Sequence, residues 1–252
     1  MTTTRHKDPG RERKNEASMH DVIAAFGAAA GLILNFDARL ADIVLLSLRV
    51  TLTAVSIAVL VGLPMGAMLG IARFRGRGLF IVLFNALMGL PPVVAGLLVY
   101  LALSRSGPLG SLGLLFTPTA MIVAQVVLVL PIVISITRQT VEDMWHEYEE
   151  QLRSLGSSRW RAIPTLIWDA RFSLLTGVLA GFGRASAEVG AVLIVGGNIA
   201  GYTRTMTTAI TLETGRGDLA LALGLGILLL ALTLLINAAA YAIGHVARRS
   251  VG

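Results

Sequence analysis

Residues 50–72 read VTLTAVSIAVLVGLPMGAMLGIA and contain no Asp, Glu, Lys or Arg. A helix needs about 20 consecutive apolar residues to cross the hydrocarbon core of a bilayer, so this run is long enough to span a membrane. Three further stretches, 78–104, 106–137 and 219–247, also lack all four charged residue types. Together they predict an all-α, polytopic helical membrane protein.

The composition supports this prediction and excludes several classes of function. Of the 252 residues, 55% are hydrophobic and 14% are charged, whereas soluble domains carry about 25% charged residues. The segments between the apolar runs are too short for a soluble catalytic domain. The absence of Cys excludes disulfides and thiolate metal sites, and neither Lys7 nor Lys14 ends a phosphate-binding loop. We therefore predict that the chain is not an enzyme and holds no cofactor or metal ion itself.

The chain divides into a polar arm and one transmembrane domain. Residues 1–21 have mixed charge and no apolar face, which is typical of a disordered arm. Residues 22–252 form the predicted domain, with a core at about 43–246. The apolar stretch 22–36 is short for a span, so a short interfacial helix, a sixth span and a signal peptide remain open for it. Five spans are predicted, near 43–72, 78–104, 116–138, 172–195 and 219–246.

Basic residues predict which connections face the cytoplasm. The linker after the first span holds Arg73, Arg75 and Arg77 without an acidic residue, and Arg248 follows the last span. Two spans separate the linker from the charged segment 139–171, so both belong on the cytoplasmic side, in contact with anionic lipid. The loop 196–218 is then external. Five spans place the basic N-terminal arm outside, and its side is left open. We find no basic stripe with interleaved aromatic residues that would indicate nucleic-acid binding.

The cytoplasmic segment 139–171 contains a predicted turn between two helices. Residues 144–155 have a helical pattern, Gly156 is a typical left-handed helix stop, and Ser157 or Ser158 can cap a second helix that begins near Arg159. We call this helix–Gly–helix arrangement the elbow. It is either a solvated connection or a docking surface, and its length exceeds the roughly 2–8 residues usual between bundle helices.

The elbow resembles the coupling loop of ABC importer permeases. In residues 150–156, EQLRSLG, the Glu and Gly stand at the spacing of the Glu-Ala-Ala-x-x-x-Gly motif, although Gln151 and Leu152 replace the two Ala. The resemblance implies a type I transmembrane domain whose elbow sits in a groove of a separate ATPase subunit, which uses the ATP. The coupling residues that it implies are Glu147, Glu150, Leu152, Leu155, Gly156, Ser157, Arg159 and Trp160.

A narrower resemblance covers most of residues 40–246. The matching stretches are LSLRVT at 46–51, SGPLG at 106–110, GRASAEVGA at 183–191, GGNI at 196–199 and TRTMTTAI at 203–210. They are similar to oxyanion importer permeases, and most similar to the tungstate type. This implies import of tungstate across a prokaryotic inner membrane, with an extracytoplasmic binding protein as partner. Permeases for molybdate, sulfate or another small solute remain alternatives, as does an ATP-independent channel or scaffold.

Several polar or helix-breaking residues are candidates for the translocation path or gate. Arg184 and Glu188 are spaced to pair across one helical turn inside a span, either beside the path or as a structural pair. Pro91 and Pro92 interrupt the second span, as a gate or as a packing kink. The external candidates, which could instead only cap the loop, are Asn198, Thr205 and Thr207. One copy has too few helices to enclose an aqueous path, so we expect a homodimer.

Overall fold

The computed structural model describes Gly27, Gly31 and residues 38–249. The predicted disordered arm at 1–21 and the short helix at 22–36 lie outside the described residues, apart from those two glycines. The described part consists of nine α-helices and one 3₁₀ turn at Gly110–Leu112, without strands. The helices are α1 (Ala38–Ile71), α2 (Arg77–Met88), α3 (Pro92–Leu103), α4 (Pro118–Ser154), α5 (Arg159–Asp169), α6 (Arg171–Ser186), α7 (Gly190–Gly196), α8 (Met206–Arg216) and α9 (Leu219–Arg249).

The helix lengths confirm the all-α membrane fold. Three helices among the described residues are long and apolar enough to span a membrane alone, namely Arg39–Ile71, Pro118–Ser154 and Leu219–Ala242. Two bent pairs raise the number to five if each pair counts as one span: α2 with α3, at an angle of 106°, and α5 with α6, at 72°. The first, third and last predicted spans therefore correspond to α1, α4 and α9.

The fourth predicted span, 172–195, is not one helix. Helix α6 ends at Ser186, and α7 begins at Gly190. The break contains no proline, and polar side chains take over its backbone bonds: the Thr207 hydroxyl donates to the Glu188 carbonyl at 2.8 Å. The carboxylate Oε1 of Glu188 accepts from the backbone N–H of Ala191 at 2.9 Å. Periodicity alone cannot detect a break that is stabilised by a residue distant in sequence.

Helices α1 and α4 form the centre of the fold and run parallel. Val50 shares an apolar cluster with Met121 at one end, and Ile71 shares another with Val141 at the other end. The two helices pack closely at a glycine of α1, because a Cβ atom at Gly66 would lie 2.6 Å from the Ile134 carbonyl oxygen. The parallel direction places the ends of both helices, Ile71 and Ser154, on the same side of the protein.

Side-chain contacts confirm that the arginine linker and segment 139–171 lie together. Arg77 Nη2 is 2.7 Å from Glu142 Oε1, across the sequence from the linker to α4. Helix α4 has 37 residues and is about 55 Å long at 1.5 Å per residue. It is therefore longer than a bilayer's hydrocarbon core of about 30 Å and cannot lie within that core along its whole length.

Candidate functional site

Two interruptions of helical structure meet inside the apolar part of the fold. We call them the paired breaks: residues 89–91, between α2 and α3, and residues 187–189, between α6 and α7. A Cβ atom at Gly190 would lie 2.9 Å from Val93 Cγ2, and one at Gly96 would lie 2.6 Å from the Cα of Ala191. The absence of side chains at these glycines lets the two broken helices cross in contact.

Pro91 and Pro92 form the first break. Pro91 occupies the cap position of α3 in an extended conformation, and Pro92 is the first helical residue, a position where its missing N–H costs nothing. The preceding carbonyl, Leu90 O, accepts a hydrogen bond from Arg184 Nη2 at 3.4 Å. The sequence predicted the position of this bend but not its partner on α6.

Arg184 and Glu188 do not form the ion pair that their spacing predicted. No ion pair joins these two side chains in the described part of the chain. Helix α6 ends at Ser186, so the helical spacing between the two residues is lost. Arg184 instead contacts the first break, and Glu188 caps α7 within the second. Glu188 is 4% exposed, and its carboxylate faces a backbone donor rather than a guanidinium group. The two residues stabilise the two breaks separately.

A small cavity with both polar and apolar lining residues lies next to the second break. It is lined by side chains of five helices and the second break, and its volume is about 20 Å³, enough for one water molecule. The polar lining residues are Ser47, Thr51, Gln125, Ser186, Glu188, Thr205, Thr207 and Thr233.

The threonines before and within α8 connect this cavity to the rest of the fold. Thr205 precedes α8 and forms a capping box with Thr208, and Ser47 Oγ accepts from the N–H of Met206 at 2.7 Å. Asn198 adopts a left-handed conformation, φ 51°, and donates to Thr208 O at 3.5 Å. The structure thus brings Glu188, Thr205 and Thr207 together at the cavity, whereas Asn198 is not among its lining residues.

The sequence analysis missed Gln125 and Ser47 as members of this site. Gln125 Nε2 donates to Ala185 O at 3.1 Å, while its Oε1 is buried without a hydrogen-bond partner in the described part of the chain. A buried unpaired acceptor is costly, and the adjacent cavity can hold the water that would pair with it. Gln125 stands alone as an amide in the apolar run 116–138, and that signal could have found it.

The elbow has the predicted helix–Gly–helix form. Gly156 has φ +74° and ends the turn after α4, and its N–H donates to Arg153 O at 2.9 Å. Ser158, rather than Ser157, caps α5, since its Oγ accepts from the N–H of Arg161. Ser157 donates its own N–H to Leu152 O at 2.9 Å. The backbone of the turn is therefore fixed by hydrogen bonds on both sides of the glycine.

An apolar face fixes the elbow to the rest of the protein. Leu152 packs against a buried cluster that contains Ile71 of α1, Trp145 of α4 and Leu166 of α5. Arg159 Nη2 lies 3.2 Å from Glu149 Oε1, and its guanidinium is 5.7 Å from the centre of the Trp145 ring. Neither Glu149 nor Trp145 was a sequence candidate, because the contacts that define them cross the turn.

The opposite face of the elbow carries exposed apolar and acidic side chains. Leu155 is 82% exposed and Trp160 is 56% exposed, and Glu147, Glu150 and Gly156 are exposed as well. Trp168 at the end of α5 is 67% exposed, a further aromatic residue that the sequence analysis did not single out. Large apolar side chains that are exposed at the end of the membrane helices indicate an interaction site.

A larger cavity opens at the end of the protein away from the elbow. It lies between the start of α1, the loop before α8 and the start of α9, and its volume is about 940 Å³. Glu213 Oε1 in its wall is 3.2 Å from Arg216 Nη1 and 3.8 Å from Arg204 Nη1. We call it the vestibule; its charged lining residues are Arg39, Asp42, Arg49, Arg204, Glu213, Arg216 and Asp218.

These features define a helical membrane transport subunit with discontinuous helices at its centre and a surface for a partner at one end. The family model "Binding-protein-dependent transport system inner membrane component" matches residues 62–251, and the chain belongs to this family. It is accordingly an inner-membrane transport protein rather than an enzyme. In the described residues, no group of three or more His, Cys, Asp or Glu side chains could hold a metal ion.

Individual relatives give a finer comparison. The chain is 40% identical to the tungstate uptake system permease protein TupB of Peptoclostridium acidaminophilum over 225 residues, which cover 89% of this chain and 99% of that protein. It is 41% identical to a probable anion ABC transporter permease protein of Haloferax volcanii, over 71% of this chain and 80% of that protein. The molybdenum transport system permease protein ModB of Escherichia coli K12 is less similar, at 30% identity over 66% of this chain and 76% of that protein.

Proposed function

We propose that this chain is the permease subunit of an ABC transporter that imports tungstate across the inner membrane. The observation that carries the proposal is the 40% identity with a tungstate uptake permease over 99% of that protein's length. The match includes both the elbow and the paired breaks, which lie within residues 62–251 of the family match. A separate ATPase subunit supplies the energy, and this chain forms the path.

The elbow is the proposed docking surface for the ATPase, within a coupling segment at 139–171. Its inner face is fixed to α1 and α4 by Leu152 and Trp145, while Leu155 and Trp160 point to solvent. A groove on the ATPase would bury these apolar side chains and face the exposed acidic residues Glu147 and Glu150. Because the elbow is rigidly attached, a displacement by the ATPase would move both long helices.

The paired breaks are the proposed gate. Discontinuous helices at the centre of a transporter place backbone groups beside the path, and the adjacent cavity of about 20 Å³ has room for about one water molecule. Alternating access would require the α2–α3 and α6–α7 breaks to move relative to each other. Arg184 and Glu188 would stabilise the backbone of the two breaks during this movement. A second copy of the chain would complete the path.

The vestibule is the proposed face for an extracytoplasmic binding protein. It lies at the end opposite the elbow, and arginines such as Arg49 and Arg204 line it together with acidic residues. An anion released by the binding protein would meet a surface with more arginines than carboxylates. The family description itself names a binding-protein-dependent system, which supports this partner.

The binding protein of the same transport system tests the substrate. We expect calorimetry to show that it binds tungstate at least about tenfold more tightly than molybdate, and sulfate more weakly still; each factor of ten corresponds to about 1.4 kcal/mol. Molybdate and sulfate serve as internal comparisons because they are tetrahedral dianions too. Tight sulfate binding beside weak tungstate binding would contradict the substrate assignment and favour a sulfate permease.

A further inference from the structure

Arg77, the first residue of α2, connects three parts of the fold. Its Nε donates to Leu69 O at 2.9 Å and its Nη2 donates to Gly70 O at 3.0 Å, both in the last turn of α1. The same Nη2 donates to Glu142 Oε1 on α4 at 2.7 Å. The other carboxylate oxygen, Glu142 Oε2, accepts from Arg138 Nη1 at 2.7 Å. We call these three charged residues the Arg77 cluster.

The Arg77 cluster lies on the route from the elbow into the membrane. Helix α4 continues without a break from Glu142 to Ser154, and its last turns form the first helix of the elbow. Gly70 lets α1 approach α4 at this level, since a Cβ atom there would lie 2.9 Å from Arg138 O. The side chains of Arg77, Arg138 and Glu142 are all shielded, with 24%, 16% and 22% of their surface exposed. Partial burial makes their ionic contacts stronger than those of a solvent-exposed pair.

Helix α2 connects the cluster to the paired breaks. Its 12 residues span about 18 Å, from Arg77 to the break at 89–91. All of them are described and none is fully buried, but one face, with Ile81, Phe84 and Leu87, is half-buried, and the helix packs on α4. The contacts of Arg77 fix the first residue of this helix. At the other end, Leu90 O accepts from Arg184. A movement of α4 at Glu142 would therefore be passed along α2 to the position where the two breaks meet.

We propose that Arg77 is a positioning residue that transmits displacement of the elbow to the paired breaks through its bond to Glu142. This inference rests on the proposed docking of an ATPase at the elbow. It assigns the arginine linker a mechanical role in transport, beyond marking the cytoplasmic side. A purely structural tie would stabilise the fold without affecting how ATP hydrolysis is converted into import.

The test compares Arg77→Gln with Arg75→Gln in the reconstituted transporter with its ATPase and binding protein. Arg75 lies in the same linker and is exposed, so its variant is the matched control. We expect Arg77→Gln to lower the tungstate imported per ATP hydrolysed by about tenfold, within the 5–150-fold range typical of coupling between sites. The amount of co-purified ATPase should be unchanged. Arg77→Lys should restore part of the ratio, because it keeps the charge opposite Glu142.

A double-mutant cycle tests the pairing with Glu142. If the two residues act through their mutual bond, Arg77→Gln combined with Glu142→Gln should lower the ratio no further than the larger single effect. Glu142→Gln has nearly the same shape as the wild type, which keeps the test available if Arg77→Gln folds poorly. An unchanged import ratio in either single variant, or loss of the bound ATPase, would overturn the inference. Failure of the wild type itself to import tungstate would instead overturn the proposed function.

Discussion

Replacing Gly66 with valine is expected to prevent the protein from folding stably. A Cβ atom at this position would lie 2.6 Å from Ile134 O, 2.7 Å from Thr137 Cβ and 3.1 Å from Arg138 N. Two of these atoms belong to the backbone of α4, which cannot move aside as a flexible side chain would. The substitution must separate the two central helices, at a cost at or above the ~3 kcal/mol upper end usual for overpacking.

The measurement is the yield of monodisperse protein on size exclusion, together with the thermal midpoint in detergent. Gly226→Val on α9 is the matched control, because no heavy atom lies within 4 Å of a Cβ atom at Gly226. We expect wild-type yield from the control and little or no monodisperse Gly66→Val protein. Equal midpoints for the two variants would show that α1 and α4 do not depend on this close contact.

Gly156→Pro is expected to abolish coupling between ATP hydrolysis and transport while the membrane part stays folded. Gly156 has φ +74°, whereas proline is fixed near −65° and has no N–H, so the turn and the bond to Arg153 O are both lost. The elbow would then no longer present Leu155 and Trp160 in one surface. We expect ATP-driven uptake to fall at least about tenfold, in line with coupling energies of 1–3 kcal/mol.

The variant Gly156→Asn tests whether coupling needs the left-handed conformation of this turn or a glycine as such. Asparagine tolerates the left-handed conformation, and no heavy atom lies within 4 Å of a Cβ atom at this position. The Asn variant should therefore retain most of the uptake. Wild-type uptake by Gly156→Pro would refute a docking role for the elbow.

Local signals made much of the fold predictable from the sequence. Charge-free runs located α1, α4 and α9, because the bilayer imposes the same length requirement on each. Gly156 and Ser158 marked the elbow, since a left-handed stop and an N-cap both act within a few residues. The arginines of the linker correctly indicated that it lies with segment 139–171, which the contact between Arg77 and Glu142 shows directly.

The parts that could not be predicted depend on contacts between residues distant in sequence. The break at 187–189 is stabilised by Thr207, whose hydroxyl donates to Glu188 O, and none of its three residues is a proline or a glycine. The same break separates Arg184 from Glu188, so a spacing rule that assumes a continuous helix gave a pair that does not form. Arg184 bonds instead to Leu90, 94 positions earlier.

Uptake of tungstate into proteoliposomes that contain this chain, its ATPase and its binding protein tests the central claim most directly. The account predicts accumulation that requires ATP, the ATPase and the loaded binding protein together, with tungstate preferred over molybdate and sulfate at equal concentrations. Accumulation without ATP or without the ATPase would contradict it and would identify an ATP-independent channel.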